Sequence, residues 1–483
     1  MNTFTRRRPA RLCAAACMLV LSALRAQAQE YDLVLHHGRV MDPESGLDAL
    51  RDVGLRGGVI AAISEQPLSA PASIDAKGLV IAPGFIDLHQ HGQAPEDYRL
   101  KAQDGVTTVA ELEIGTADVD QWYAQREGKA AINFAVSVGH IQCRMAVMGD
   151  RPAMVPPAKS GAATVVGTDA QEAQICALIE KGLARGAVAV GFGLQYTPAA
   201  TQRETVDVFR IAAKYHASCH VHMRAKGASG PQNVYSSVLE LIAASTLTGA
   251  PAQICHVQST CNRATPRVME LAAEARAHGV DLSVECYPYT AGMTDIMSAI
   301  FDPGWQERAE IDFKDLQWVA TGERLTEETF AKYRQTGGMV IVHSNPESLI
   351  REIVANPLTM IASDGARGHP RNAGTSARVL GHYVREEKAL TLMNAIDKLA
   401  LMPARRLEAR VPAMKNKGRV RVGADADLTL FNPETVIDRS TYTEPDLTSA
   451  GVPFVLVAGV FVVRDGVFQE NALPGRAVRA PIQ

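Results

Sequence analysis

From residue 84 to about residue 400 the chain repeats one rhythm, and that rhythm limits its fold more than any other feature. Short apolar runs such as GVTTVAELEIG, AINFAVSVGHI, GAVAVGFGL, ASCHVHMR, APAQICHVQS, VDLSVECYPYT, MVIVHSN and TMIASDG alternate with helix-like segments such as TDAQEAQICALIEKGLARG and RETVDVFRIAAKYH. Short apolar runs bounded by turn residues suit strands buried on both faces. Strands separated by helices imply a parallel sheet. This many units predict an α/β fold with a closed (β/α)8 barrel over 84–400. An open doubly wound sheet is the alternative, but no glycine-rich dinucleotide fingerprint follows an early strand.

The two ends of the chain read differently. YDLVLHHGRVMD and RDVGLRGGVIAAIS near the start, and GRVRVGADADLTLFNP and PFVLVAGVFVVRDG near the end, are strand-like segments broken by Gly and Pro. Residues 29–83 and 401–483 are therefore expected to build one small β-sandwich domain beside the barrel. Residues 291–338 interrupt the rhythm and carry two of the three tryptophans, Trp305 and Trp318. Such an insertion is either a lid or a packing excursion.

Residues 1–28 form a third region. A cationic MNTFTRRRPAR precedes LCAAACMLVLSAL, an apolar stretch short for a bilayer span, and AQA supplies small residues at Ala26 and Ala28. This layout predicts a signal peptide cleaved after Ala28 and an exported, periplasmic protein with no stable membrane insertion afterwards. In that compartment Cys143, Cys176, Cys219, Cys255, Cys261 and Cys286 could pair as disulfides, although none has metal-type spacing. A formal net charge of -3 gives no support for nucleic-acid binding.

The barrel rhythm gives its ionisable residues a meaning. Residues i and i+2 of a strand share a face, so His89 and His91 in APGFIDLHQHG project side by side, half of a metal site. Functional groups of such barrels sit at strand C-terminal ends. Reading each strand there adds Glu111 and Glu113, His220 and His222 followed by Arg224, His256, and Asp364 in IASDG. Ionisable groups inside apolar strands are costly unless paired, bonded or metallated.

With these residues placed, APGFIDLHQHG resembles the first-strand signature of the amidohydrolase superfamily. GFGLQYTP, HVHMR, QICHVQS, ECYPYTAG and IASDG followed by HPR and GTSARVLGHYVRE resemble, in order, the N-acyl-D-amino-acid deacylase family over nearly all of residues 30–475. The resemblance implies metal ligands His89, His91, His222 and His256, and Asp364 as catalytic aspartate and ligand. The family's second-strand cysteine ligand is absent from AELEIG. Glu113, or else Glu111, takes that place, and one or two Zn2+ ions are expected. It further implies that Arg371 in GHPR and Tyr196 in LQYTP bind the substrate's α-carboxylate. Gln258 stands where a lysine is common. Arg224 and Arg367 are candidates for an acidic side chain, and His140 for lining the pocket. The expected partner is a small N-acyl-D-amino acid, with a hint of N-acyl-D-glutamate, cleaved by activated water. A cyclic-amide hydrolase and a non-catalytic exported binding protein are the rival readings.

Overall fold

A computed structural model describes Met1, residues 31–228 and residues 232–483. The expected leader, apart from Met1, lies outside the described residues. Eight parallel strands follow one another in chain order: Phe85–Asp87, Val106–Thr116, Asn133–Gly139, Ala189–Gly193, Ser218–His222, Ala252–Ile254, Leu282–Cys286 and Thr359–Ile361. Parallel neighbours need long crossovers, and helices such as Asp169–Ala184 and Gln202–Lys214 supply them. The ring draws together just past the first and last strands. His91 N donates to Gly365 O at 2.9 Å, and Gly365 N donates to His89 O at 3.2 Å. Two-sided burial explains the apolar runs: Ala189–Gly193 and Leu282–Cys286 are buried at every position.

Both chain ends meet in one nine-stranded sheet, where Val80–Pro83 pairs antiparallel with Leu428–Phe431. Its apolar core includes Leu35, Val53, Ile60, Leu428 and Leu456. The helix Met402–Leu407 departs from the simple division at residue 401. Ala404 and Leu407 pack with Ile86, Leu88, Leu112 and Met360 under the barrel strands. The last residues also return to the barrel, where Val478 N donates to Phe134 O at 2.8 Å.

The insertion folds as a three-stranded antiparallel sheet of Ala291–Asp295, Leu316–Trp318 and Met339–His343, so it extends a few residues past 338. It carries its own aromatic cluster. Trp305 stacks on Phe330 at 5.3 Å and Trp318 on Tyr333 at 3.9 Å. All six cysteines of the described residues are free thiols, and five of them are buried, so the disulfides allowed by the sequence do not form. Among the described residues no helix is long and apolar enough to cross a membrane.

Candidate metal centre

The strand Val106–Thr116 carries both Glu111 and Glu113, but they do different things. Pairing with the next strand runs in register to Glu111↔Val136 and resumes only at Thr116↔Val138, so a bulge falls between them. A bulge redirects side chains that strict alternation would align. Glu111 turns back on its own strand and accepts from Ile114 N at 2.9 Å. The bulge leans on its neighbours through two glycines. A Cβ at Gly139 would lie 1.9 Å from Ile114 O, and one at Gly191 would lie 2.2 Å from Glu113 O.

Glu113 thereby reaches the barrel axis, where four imidazoles surround it. Its carboxylate lies 2.5 Å from His89 Nε2, 3.0 Å from His222 Nδ1, 3.4 Å from His256 Nε2 and 3.9 Å from His91 Nε2. Asp364 approaches from the last strand, its Oδ1 3.1 Å from His91 Nε2 and 3.5 Å from His89 Nε2. Two residues of this cluster hold left-handed backbone, His256 at φ +30° and Asp364 at φ +51°. Such conformations are unfavourable for non-glycine residues and concentrate at functional sites.

The donor atoms of His89, His91, Glu113 and Asp364 all lie within 4.8 Å of one another, as do those of Glu113, His222 and His256. Imidazole nitrogens and carboxylate oxygens converging at such range are a donor set suited to a divalent cation. Glu113 belongs to both groups and could be shared between two cations. The residues present therefore fit the metal that the sequence implies.

The charges are strongly coupled. Burial works against the ionised carboxylate of Glu113, but His89, His222 and His256 hold it well below the usual range. Burial likewise opposes the charge on His91, yet Glu111 and Asp364 push it up to about 10. For His222 burial wins and its basicity is lowered despite Glu113. Asp364 stays ionised: against burial, Arg371 and then His89 hold it far below the ordinary carboxylate range.

A cavity opens above this cluster and is lined by His91, Glu113, His222, His256, Asp364, Arg371 and Tyr196. Residues of the insertion, including Met293, Phe301 and Trp305, form its opposite wall. Arg371 is 1% exposed and lies 4.5 Å over the Tyr287 ring. Its Nη1 is 2.8 Å from Asp364 Oδ2, but neither Nη1 nor Nε is aligned for a hydrogen bond, so donor capacity remains. Tyr196 Oη sits 3.1 Å from Thr294 Oγ1 of the insertion.

Four expected residues lie elsewhere. His140 is wholly buried, stacked on Phe192 and 2.7 Å from Glu204 Oε1, in a packed ion cluster with Arg144 rather than in the cavity. Arg224 lies past the end of Ser218–His222, where strand alternation no longer applies, and pairs with Glu240 at 2.7 Å. Arg367 is largely exposed on a loop, 3.9 Å from Glu96. His220 is buried outside the cavity lining and bonds Ser218 Oγ at 3.0 Å.

Sequence reading missed several partners of these ligands and gave Glu111 only as an alternative ligand. Glu285, buried to 1%, meets His89 Nδ1 and is itself held by Gln253. Glu111 holds His91 Nδ1 at 2.7 Å, Gln195 Oε1 sits 2.8 Å from His222 Nε2, and Thr260 Oγ1 sits 3.2 Å from His256 Nδ1. Glu285 could have been noticed, because it is an acid within the apolar run VDLSVECYPYT. Gln195 and Thr260 gave no comparable signal.

Comparison with known proteins points to one family. Residues 72–136 and 157–463 match the amidohydrolase family. An N-acyl-D-glutamate deacylase of Alcaligenes xylosoxydans xylosoxydans is 31% identical, with 93% of this chain and 97% of that protein covered. Among solved structures, the N-acyl-D-glutamate deacylase of Bordetella bronchiseptica, complexed with zinc and a phosphonate mimic of the tetrahedral intermediate, superposes with a TM-score of 0.80. It is 28% identical and covers 94% of this chain and 100% of its own. A D-aminoacylase structure described for its binuclear metal centre follows at 27% identity and TM-score 0.78, covering 93% and 100%.

Proposed function

The chain belongs to the amidohydrolase family, and from that premise we propose that it is a metal-dependent deacylase that hydrolyses the amide of N-acyl-D-amino acids to a carboxylate and the free D-amino acid. The observation that carries this reading is the sharing of Glu113 among four imidazoles, with Asp364 and Arg371 beside it in one cavity. His89, His91, Glu113, His222, His256 and Asp364 would hold one or two zinc ions. When bound, zinc brings water to an acidity near neutral pH, supplies hydroxide and polarises the acyl carbonyl.

The chain's own groups do the rest. Asp364 is kept ionised by Arg371 and faces the imidazole pair, so it can take a proton from the attacking water and return it to the leaving amine. Arg371, with spare donors and a rigid seat on Tyr287, suits the planar α-carboxylate. Tyr196 lines the same cavity, where burial pushes its phenol up and keeps it a neutral donor. The insertion lines the cavity through Met293, Phe301 and Trp305, a position from which a lid would exclude water. Similarity to N-acyl-D-glutamate deacylases makes N-acyl-D-glutamate the first substrate to try. The cationic and apolar start of the chain supports export, and cell fractionation tests it.

The deciding experiment is release of free amine from a panel of N-acetyl-D- and N-acetyl-L-amino acids by the metal-replete chain. D-substrates are expected to be hydrolysed and their L-forms spared. Ring opening of a hydantoin with no D-substrate cleaved would replace this reading with a cyclic-amide hydrolase.

A further inference from the structure

The cavity holds a second cation that the centre described above does not use. Lys226 lines it from the loop after Ser218–His222, on the side that faces Trp305, Arg308 and Ala309 of the insertion. It is only 8% exposed. Among the described residues no carboxylate pairs with its ammonium, and the titratable group beside it is the Cys261 thiol, which burial keeps protonated and neutral. Burial draws the amine down to about 8, so it remains mostly cationic at neutral pH, and no carboxylate of the described residues offsets the cost.

The position of this amine is built. On one side of Lys226, Ala225 N donates to Ser237 Oγ at 3.0 Å, and on the other, Gly227 N donates to Thr260 O at 3.3 Å. Gly227 has φ +74°, and a Cβ there would lie 2.1 Å from Arg308 O, so the insertion's backbone is seated directly on this loop. Arg308 also reaches the cavity, but its guanidinium already donates to the carbonyls of Pro303 at 2.8 Å and Asp302 at 3.0 Å. The acids lining the cavity among the described residues are Glu113 and Asp364, and both are engaged by imidazoles and Arg371.

We propose that Lys226 is a specificity-determining residue that binds a second carboxylate of the substrate, separate from the α-carboxylate at Arg371. This inference rests on the deacylase reading of the same site. The second carboxylate sits either on the amino-acid side chain or at the far end of the acyl group. A buried amine with no carboxylate of the described residues beside it rewards a charged partner far more than a neutral isostere, because only the charged group relieves its desolvation.

The test compares matched substrates on the metal-replete full chain and on K226M and K226R. One pair is N-acetyl-D-glutamate against N-acetyl-D-glutamine. The other is N-succinyl-D-alanine against N-butyryl-D-alanine. Wild type is expected to favour the charged member of one pair by at least about tenfold in kcat/KM, K226M to bring that ratio within about twofold, and K226R to restore part of it. Which pair responds identifies the source of the carboxylate. Calorimetric binding of the same four compounds is measured in parallel. If nothing is hydrolysed but the charged compounds still bind in a Lys226-dependent way, the deacylase reading fails and this one holds. No preference for either charged compound in wild type, or equal losses for charged and neutral members in K226M, overturns it.

Discussion

On one side of Glu113, His89 and His91 each rest a ring nitrogen on a buried carboxylate, Glu285 and Glu111. On the other side, His222 and His256 rest theirs on the neutral Gln195 and Thr260. The electrostatics follow the partners. His91 is driven up to about 10 by its acids, against burial, whereas burial lowers the basicity of His222. The difference teaches that two ligand pairs of identical chemistry can be given unequal electron-donating power by groups that never touch the cation, since a carboxylate behind an imidazole raises its basicity as a ligand. The His89–His91 side also carries Asp364, so the stronger backing lies where the proposed proton transfer occurs.

Four substitutions test that comparison. Glu113→Gln removes the donor common to both sides, and it is expected to reduce bound metal to background and abolish turnover, as read by metal analysis beside an activity assay. Asp364→Asn leaves the paired histidines in place. Turnover is expected to fall by about two to four orders of magnitude while most of the metal is retained, and an undiminished rate would remove Asp364 from the chemistry. Glu285→Gln keeps the shape behind His89 but removes its charge. Metal affinity of the His89–His91 side is expected to drop by about 10- to 100-fold with little change on the other side, measured by competition with a chromophoric chelator. Gln195→Ala takes away a neutral partner, so the loss on the His222 side is expected to stay below about tenfold. Equal losses in the last two variants would erase the distinction between the sides.

The two acids of AELEIG show where sequence reading ran out. Strand periodicity places Glu111 and Glu113 on one face and leaves either as the ligand. The bulge between Glu111 and Thr116, accommodated by Gly139 and Gly191 on neighbouring strands, separates their roles. Arg224 failed as a pocket residue for a related reason, because periodicity stops where the strand stops and Glu240 of a following helix captured the side chain. His140 likewise lies at the end of an apolar run, but the chain there turns into the helix His140–Met148 and buries the ring against Glu204.

By itself the sequence determined the parallel strand rhythm, the joining of both ends in a second domain, and which residue types stand at the strand ends. The strand rhythm, the strand character of each end and the residue types are local, since apolar periodicity and burial cost act within a few residues of the position they describe, whereas the joining of the ends was inferred from their likeness. Only the tertiary structure decided that Glu113 lies at the centre, that Glu285, 196 residues beyond His89, backs that imidazole, and that Lys226 shares its cavity with no carboxylate of the described residues paired to it. Such facts depend on which side chains meet across the barrel, and no local pattern carries the distance between residues that the chain keeps far apart.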